Sequence, residues 1–366
     1  MIAFFKFPFF VKATFFIIGL YALISMLYTG QQIIVPVIYA TLFAVLLNPI
    51  VKFFIRLKLK RAMAILITLL FLLALITWLF IFLSSQGTRF SAALPLLIDK
   101  FYLLLHHSIT NFSERFNVSV QSVNEYVIKT KIEVLSHLSQ VIKTTINTVG
   151  STLFIIVIVL IYIFMILFYQ THFMGFIHKL CGETHSGGVN EFLTSTKSLI
   201  QSYLTGLLIE AAIVATLYSA GLFIIGIEYA ILLGVIGALL NIIPYLGGLI
   251  AASLYMIVAF TTKDSSSYVL WVLALFVMVH LIDNSYIIPK VVASKVKINA
   301  FVAITAVLAG GALWGVPGMF LSIPLTGVIK LIFDRIEPLK PWGYLLSDTN
   351  EFALKLKMKF KNKKQP

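Results

Sequence analysis

The sequence predicts an all-α integral membrane protein whose helices cross the bilayer several times. Of its 366 residues, 60% are hydrophobic and 11% are charged, whereas soluble domains contain about 25% charged residues. The apolar residues form many separate runs, most of them near or above the ~20 residues that one helix needs to cross a bilayer. These runs cover residues 13–28, 33–51, 62–83, 149–169, 199–227, 229–260, 268–288 and 301–329. A soluble protein with one large buried core would not contain so many runs of this length.

Helices, not a β-barrel, are predicted for these runs. Backbone polar groups in hydrocarbon must pair within their own helix or around a closed barrel. Barrel strands would alternate apolar and polar residues, and the continuous apolar run from Leu153 to Tyr169 does not.

The basic residues predict the orientation of the chain. The formal net charge is +14, which in a soluble protein would suggest a nucleic-acid partner. Here the lysines and arginines lie in short loops and in the C-terminal tail, where anionic lipid headgroups are the expected partner and nucleic acid is not. Positive loops stay cytoplasmic, and the basic loop 52–61 lies between the second and third runs, so both termini are expected in the cytoplasm.

Two apolar segments are interrupted in a way that predicts re-entrant hairpins. As one helix, residues 229–260 would be ~48 Å long at 1.5 Å per residue, far more than the ~30 Å bilayer core. The break at 241–248 leaves arms that are each too short to cross, and 301–333 repeats the design around 310–318. Six crossing helices plus two hairpins would result; the alternative is eight crossing helices. The first arrangement places Lys290, Lys295 and Lys297 in the cytoplasm, as the positive-inside rule favours.

The second half contains three distinctive blocks: Gly237-Ala-Leu-Leu-Asn-Ile-Ile-Pro-Tyr-Leu-Gly247, Asp283-Asn-Ser-Tyr-Ile-Ile-Pro-Lys290 and Gly310-Gly-Ala-Leu-Trp-Gly-Val-Pro-Gly-Met-Phe-Leu-Ser-Ile-Pro324. In this order they resemble the autoinducer-2 exporter family of bacterial membrane proteins. The resemblance implies export of a small polar signal molecule, as in some members, or Na⁺/H⁺ exchange, as in others. It also implies a location in the bacterial inner membrane.

Two acidic residues within the apolar runs are candidates for ion binding, because carboxylates in a membrane are costly unless they are paired or hydrated. Glu210 is expected either to carry a proton or to bond to a neighbouring helix. Asp283 and Asn284 offer oxygen ligands for Na⁺, or else they bond to a hairpin or to Lys290. The other candidates lie at or near the two breaks and on the Asp283 segment: Asn241, Pro244, Tyr245, Gly247, Tyr286, Gly310, Gly311 and Pro317. A coupling ion, Na⁺ or H⁺, is the only cofactor expected.

The chain is accordingly expected to have five parts. These are three transmembrane helices that form a scaffold (1–84), an extracytoplasmic region with amphipathic helices (85–148), a fourth transmembrane helix with a cytoplasmic linker (149–196), a transport half with the hairpins (197–333) and a basic cytoplasmic tail (334–366). The amphipathic helices would lie on the membrane, contact a neighbouring subunit of a homo-oligomer, or cover the protein's own loops.

The leading functional hypothesis is ion-gradient-coupled export of a small polar solute similar to autoinducer-2. A Na⁺/H⁺ antiporter is the first alternative, and a non-transporting membrane scaffold that acts through 85–148 is the second. Because the sequence contains no nucleotide-binding loop, catalytic triad or metal motif, no enzymatic activity and no bound metal other than Na⁺ are expected.

Overall fold

The computed structural model describes residues 8–116, 154–181, 186–243, 246–263, 265, 267–292 and 298–348. Their regular structure is helical: α1 Phe9–Thr29, α2 Gln31–Arg56, α3 Arg61–Phe116, α4 Phe154–Phe168, α5 Gln170–Cys181, α6 Ser186–Ile225, α7 Ala230–Asn241, α8 Leu246–Thr262, α9 Ser267–Ile282, α10 Ala300–Arg335 and α11 Lys340–Leu346. A π-helical segment, Asp283–Val292, continues α9. The all-α prediction is therefore confirmed.

Six of the described helical segments are long and apolar enough to cross a membrane. They are Phe9–Thr29, Gln31–Arg56, Arg61–Thr88, Gly188–Ile225, Ser267–Val291 and Ala300–Arg335. A bent pair, α4 and α5, meets at 64° and passes the same test when taken together. Many of their large apolar side chains are exposed, such as Ile224 at 84% and Phe301 at 78%. Surfaces of this kind are suited to lipid tails, which confirms a polytopic membrane protein.

Two parts of the first half are more continuously helical than the hydropathy alone indicates. The third span was expected to leave the membrane near Ser84, and its helix, α3, continues without a break to Phe116. The segment 171–196, expected as a linker, is helical in its described part, as α5 and the beginning of α6. Of the region 85–148, for which amphipathic helices were expected, residues 117–148 lie outside the described residues.

Helices α7 and α8 fold back on each other as an antiparallel hairpin, here called hairpin 1. A Cβ atom on Gly247 would lie 1.7 Å from the carbonyl oxygen of Leu240, and Gly237 lies directly against the side chain of Tyr255. At the open end, a Cβ on Gly226 would lie 3.7 Å from Nζ of Lys263. The chain thus returns to the place where the hairpin began.

Helix α10 is also two arms, here called hairpin 2, joined by a sharp reversal at Trp314 and Gly315. Gly315 has φ 64° and ψ −148°, a backbone region that is essentially restricted to glycine. The arms touch closely, since a Cβ on Gly318 would lie 2.0 Å from the carbonyl oxygen of Gly310. Asn299, directly before the first arm, donates through Nδ2 to the carbonyl of Leu345 in α11 at 2.7 Å, so the start of hairpin 2 lies next to the helix that follows its second arm.

Helix α6 lies along both hairpins and connects the apolar clusters. Its C-terminal half packs with α7, α8 and α9 around Tyr218, Leu222 and Tyr255. Its N-terminal half packs with α2 and α10 around Tyr203 and Leu321. Close to its beginning, Glu191 pairs with Arg335 at 3.1 Å. The middle of α6, where Glu210 lies, is therefore placed between the two hairpins.

Candidate ion and solute site

Two buried carboxyl groups lie on either side of one amide in the second half of the chain. Nδ2 of Asn241 is 3.1 Å from Oδ2 of Asp283 and 3.4 Å from Oε1 of Glu210. Glu210 is 6% exposed and Asp283 is 3% exposed. Three of the predicted site residues are thus brought together, and we call them the acid cluster.

Each member of the acid cluster comes from a different element. Glu210 lies in the middle of α6, and Asn241 is the last residue of α7, next to the break of hairpin 1. Asp283 opens the π-helical segment. Single π-helical turns within α-helices are frequent at functional sites. An ion bound here would therefore contact α6, the hairpin and the end of α9 at once.

The cluster retains unused hydrogen-bonding capacity. Oδ1 of Asp283 is buried and has no hydrogen-bond partner among the described residues. Buried polar atoms are normally hydrogen-bonded, so this oxygen is available to a further donor or to a cation. Within the described residues, no group of three or more His, Cys, Asp or Glu side chains could hold a metal. Two carboxyl groups instead suit a proton or Na⁺.

Aromatic side chains that the sequence analysis did not select surround the end of hairpin 1. Tyr218 of α6 lies 5.2 Å from Tyr255 of α8, measured between ring centroids, and stacks on Phe276 of α9 at 6.4 Å. The hydroxyl of Tyr255 is buried and unpartnered among the described residues. A sequence signal for Tyr218 existed, because it follows Glu210 by eight residues on the same helical face. Tyr255 had none.

Two predicted residues of the Asp283 segment point away from the acid cluster. Asn284 is exposed and donates to His280, with Nδ2 2.9 Å from Nε2 of the ring and 3.1 Å from its carbonyl oxygen. Tyr286 is 63% exposed, and Nζ of Lys290 lies 5.7 Å from its ring centroid. The expected Na⁺ pair of Asp283 and Asn284 is thus split, since the carboxylate of Asp283 pairs with Asn241 instead.

The predicted glycines serve mainly the close approach of the hairpin arms. Gly247 faces the backbone of Leu240, while Gly310 and Gly311 face Gly318, Ser322 and Met319 across hairpin 2. Pro244 and Tyr245 lie outside the described residues.

The reversal of hairpin 2 is hydrogen-bonded to the first half of the chain. Nε1 of Trp314 donates to the carbonyl of Leu27 in α1 at 3.0 Å. The hydroxyl of Tyr39 in α2 donates to the carbonyl of Pro317 at 3.1 Å. Trp314 and Ile243, one from each reversal, pack against the same apolar cluster around Tyr203. The two hairpin tips therefore approach one region but make different polar contacts.

Comparison with known proteins gives one consistent result. The sequence model of the family described as "AI-2E family transporter" matches residues 12–337. YueF of Bacillus subtilis strain 168 is 25% identical over 313 residues, which cover 82% of this chain and 83% of YueF. YhhT of Escherichia coli K12 is 26% identical, and the match covers 87% of this chain and 89% of YhhT. AI-2 transport protein TqsA of the same strain is 24% identical, and the match covers 88% of this chain and 91% of TqsA. The chain therefore belongs to the AI-2E family of transporters and is a multi-pass membrane protein.

Proposed function

We propose that this protein exports a small, polar, autoinducer-2-like solute and couples the export to an ion gradient through the acid cluster. The observation that carries the proposal is the pair of buried carboxyl groups joined by Asn241 at the end of a hairpin arm. Burial of a carboxylate in a membrane is expensive, so such residues characteristically belong to ion pathways. The similarity to TqsA supports the solute class.

The proposed mechanism is alternating access around the hairpins, which we take to be re-entrant. Paired interrupted segments near the bilayer midplane form the binding sites of many secondary transporters. The antiparallel arms and the contact between Gly226 and Lys263 support a fold-back for hairpin 1. Occupation of the acid cluster by H⁺ or Na⁺ would change the charge beside Asn241 and so bias the position of the hairpin relative to α6. The scaffold would be the first half of the chain.

The test is flux in proteoliposomes with imposed pH or Na⁺ gradients. Glu210→Gln and Asp283→Asn keep side-chain size but remove the titratable group. Each should abolish the gradient-driven flux, because an amide still accepts the hydrogen bond from Asn241 but cannot bind and release a proton. Glu228→Gln is the matched control, because Glu228 is an exposed acid in the loop after α6 and should transport normally. Undiminished coupled flux in both cluster variants would refute the assignment.

A Na⁺/H⁺ antiporter is the second candidate, favoured by the unpartnered Oδ1 of Asp283. It requires only that the cluster exchange one cation for the other, with no organic solute. The same liposomes separate the two functions: an antiporter moves Na⁺ against H⁺ with no solute present, whereas the exporter needs the solute on one side.

A further inference from the structure

An open cavity of about 440 Å³ lies between α6 and the π-helical segment, beside the acid cluster. Its lining includes Gln201, Ser202, Thr205 and Gly206 of α6 and Lys290 of the π-helical segment. Gly206 precedes Glu210 by four residues, or ~6 Å along the helix. The size falls within the range of small-molecule sites, roughly 300–1,000 Å³. The two elements that line the cavity, α6 and the π-helical segment, therefore also carry Glu210 and Asp283 of the acid cluster.

The hydroxyl groups of the cavity have no partners of their own in the described part of the chain. In other helices, the hydroxyls of Thr216, Ser253 and Thr305 donate to the carbonyl four residues earlier at 2.8 to 2.9 Å. Ser202 and Thr205 make no such bond to any described residue. Their donors and acceptors are therefore free to bind a ligand.

The charge of Lys290 is likewise uncompensated. Its ammonium group contacts the ring of Tyr286, but no carboxylate among the described residues pairs with it, unlike Lys330 and Lys340, which pair with Asp334 and Glu337. Lys197, one turn before Gln201 on α6, adds a second positive charge nearby. A lysine acts as a point charge that binds phosphate or carboxylate.

We propose that this cavity binds a small hydroxylated anion, with Lys290 paired to the negative charge and the α6 side chains bound to the hydroxyl groups. The proposal rests on the transport function in one respect, because it takes the anion to be a transported solute. Glu210 and Asp283 are buried, and neither lines the cavity. A lipid phosphate has the same chemistry as such a solute, so the test must separate the two.

The experiment measures equilibrium binding by calorimetry, with the full chain in phosphatidylcholine nanodiscs. The probes are glycerol 3-phosphate and glycerol, which differ only in the phosphate. Glycerol 3-phosphate should bind more tightly than glycerol. Lys290→Gln should weaken the binding of glycerol 3-phosphate about tenfold or more, because one hydrogen bond to a charged group contributes about that much to affinity. Thr205→Val should weaken it as well. The matched control is Lys263→Gln, because Lys263 contacts the ring of Tyr268 at 5.3 Å and does not line the cavity.

Three results would overturn the proposal. The first is the absence of glycerol 3-phosphate binding, and the second is an equal loss of binding in the Lys290 and Lys263 variants. The third is abolition of binding when phosphatidylglycerol is added to the nanodiscs, which would identify a lipid headgroup as the occupant. Since the calorimetry applies no gradient, a failure of ion coupling in the proteoliposomes leaves this binding result unchanged. Failure of ion coupling and failure of this site are therefore separate outcomes.

Discussion

At the scale of single residues, Asn241 holds the acid cluster together. Its Nδ2 is the donor for both carboxyl groups, while a Cβ on Gly248 would lie 3.5 Å from its Oδ1. Asn241 is also the last residue of the first hairpin arm. A change of charge at Glu210 or Asp283 therefore acts directly on the hairpin through this one side chain.

We expect Asn241→Ala to abolish ion-coupled flux and to lower stability. Each carboxyl group left without its donor costs about 1–3 kcal/mol, because both are buried. The melting temperature in detergent and the gradient-driven flux should fall together. Asn284→Ala is the control: Asn284 is exposed and bonds only to His280 among the described residues, so both quantities should stay near wild type. Normal coupling in the Asn241 variant would remove it from the mechanism.

At the scale of elements, the hairpins depend on glycines where the arms meet. The closest approach to a backbone atom is at Gly247, where any side chain would collide with the backbone of Leu240. At Gly311 the nearest atom is Cε of Met319, 2.7 Å from a built Cβ. Methionine is flexible and can move. Gly19 in α1 has nothing within 4 Å.

These contacts predict a graded series for replacement by leucine. Gly247→Leu should stop transport and reduce the folded fraction, since overpacking against a rigid backbone costs roughly 1–3 kcal/mol or more. Gly311→Leu should impair transport less, and Gly19→Leu should be near normal. All three should insert, because leucine raises segment hydrophobicity. Flux per folded molecule after size-exclusion chromatography gives the ranking, and a Gly19 variant as defective as the Gly247 variant would contradict it.

At the scale of the whole molecule, two lysines that lie beside opposite halves of α6 can report the membrane topology. Gly226, just beyond the C-terminal end of α6, lies next to Lys263, whereas Lys290 lines a cavity with Gln201 in the N-terminal half. In the arrangement with re-entrant hairpins, the first of these positions is outside the cell and the second is in the cytoplasm.

Cysteine labelling tests this topology. In a Cys181→Ser background, Lys263→Cys should react with an impermeant maleimide on intact cells, and Lys290→Cys only after permeabilisation. Eight full crossings would give the reverse pattern for both positions, so the pair of variants decides between the arrangements.

The sequence predicted local features of the structure well and contacts between distant elements poorly. Breaks at Gly and Pro, and acids within apolar runs, are local signals, so both reversals and both carboxyl groups were found. The bridging role of Asn241 depends on three elements meeting, and the π-helical turn at Asp283 has no distinct pattern in the residues. The unbroken continuation of α3 to Phe116 was not predicted, because the hydropathy of a span indicates where it leaves the membrane and not where its helix ends.

The hydrogen bonds from Trp314 to Leu27 and from Tyr39 to Pro317 have a consequence for the rate of the proposed transport cycle. If hairpin 2 moves against α1 and α2, both bonds must break before the new conformation is reached. Each contributes a net of about 0.5–1.5 kcal/mol, and every ~1.4 kcal/mol of barrier slows a step tenfold. The dwell time of this conformation, and with it the turnover number, would then depend on two aromatic side chains outside the acid cluster.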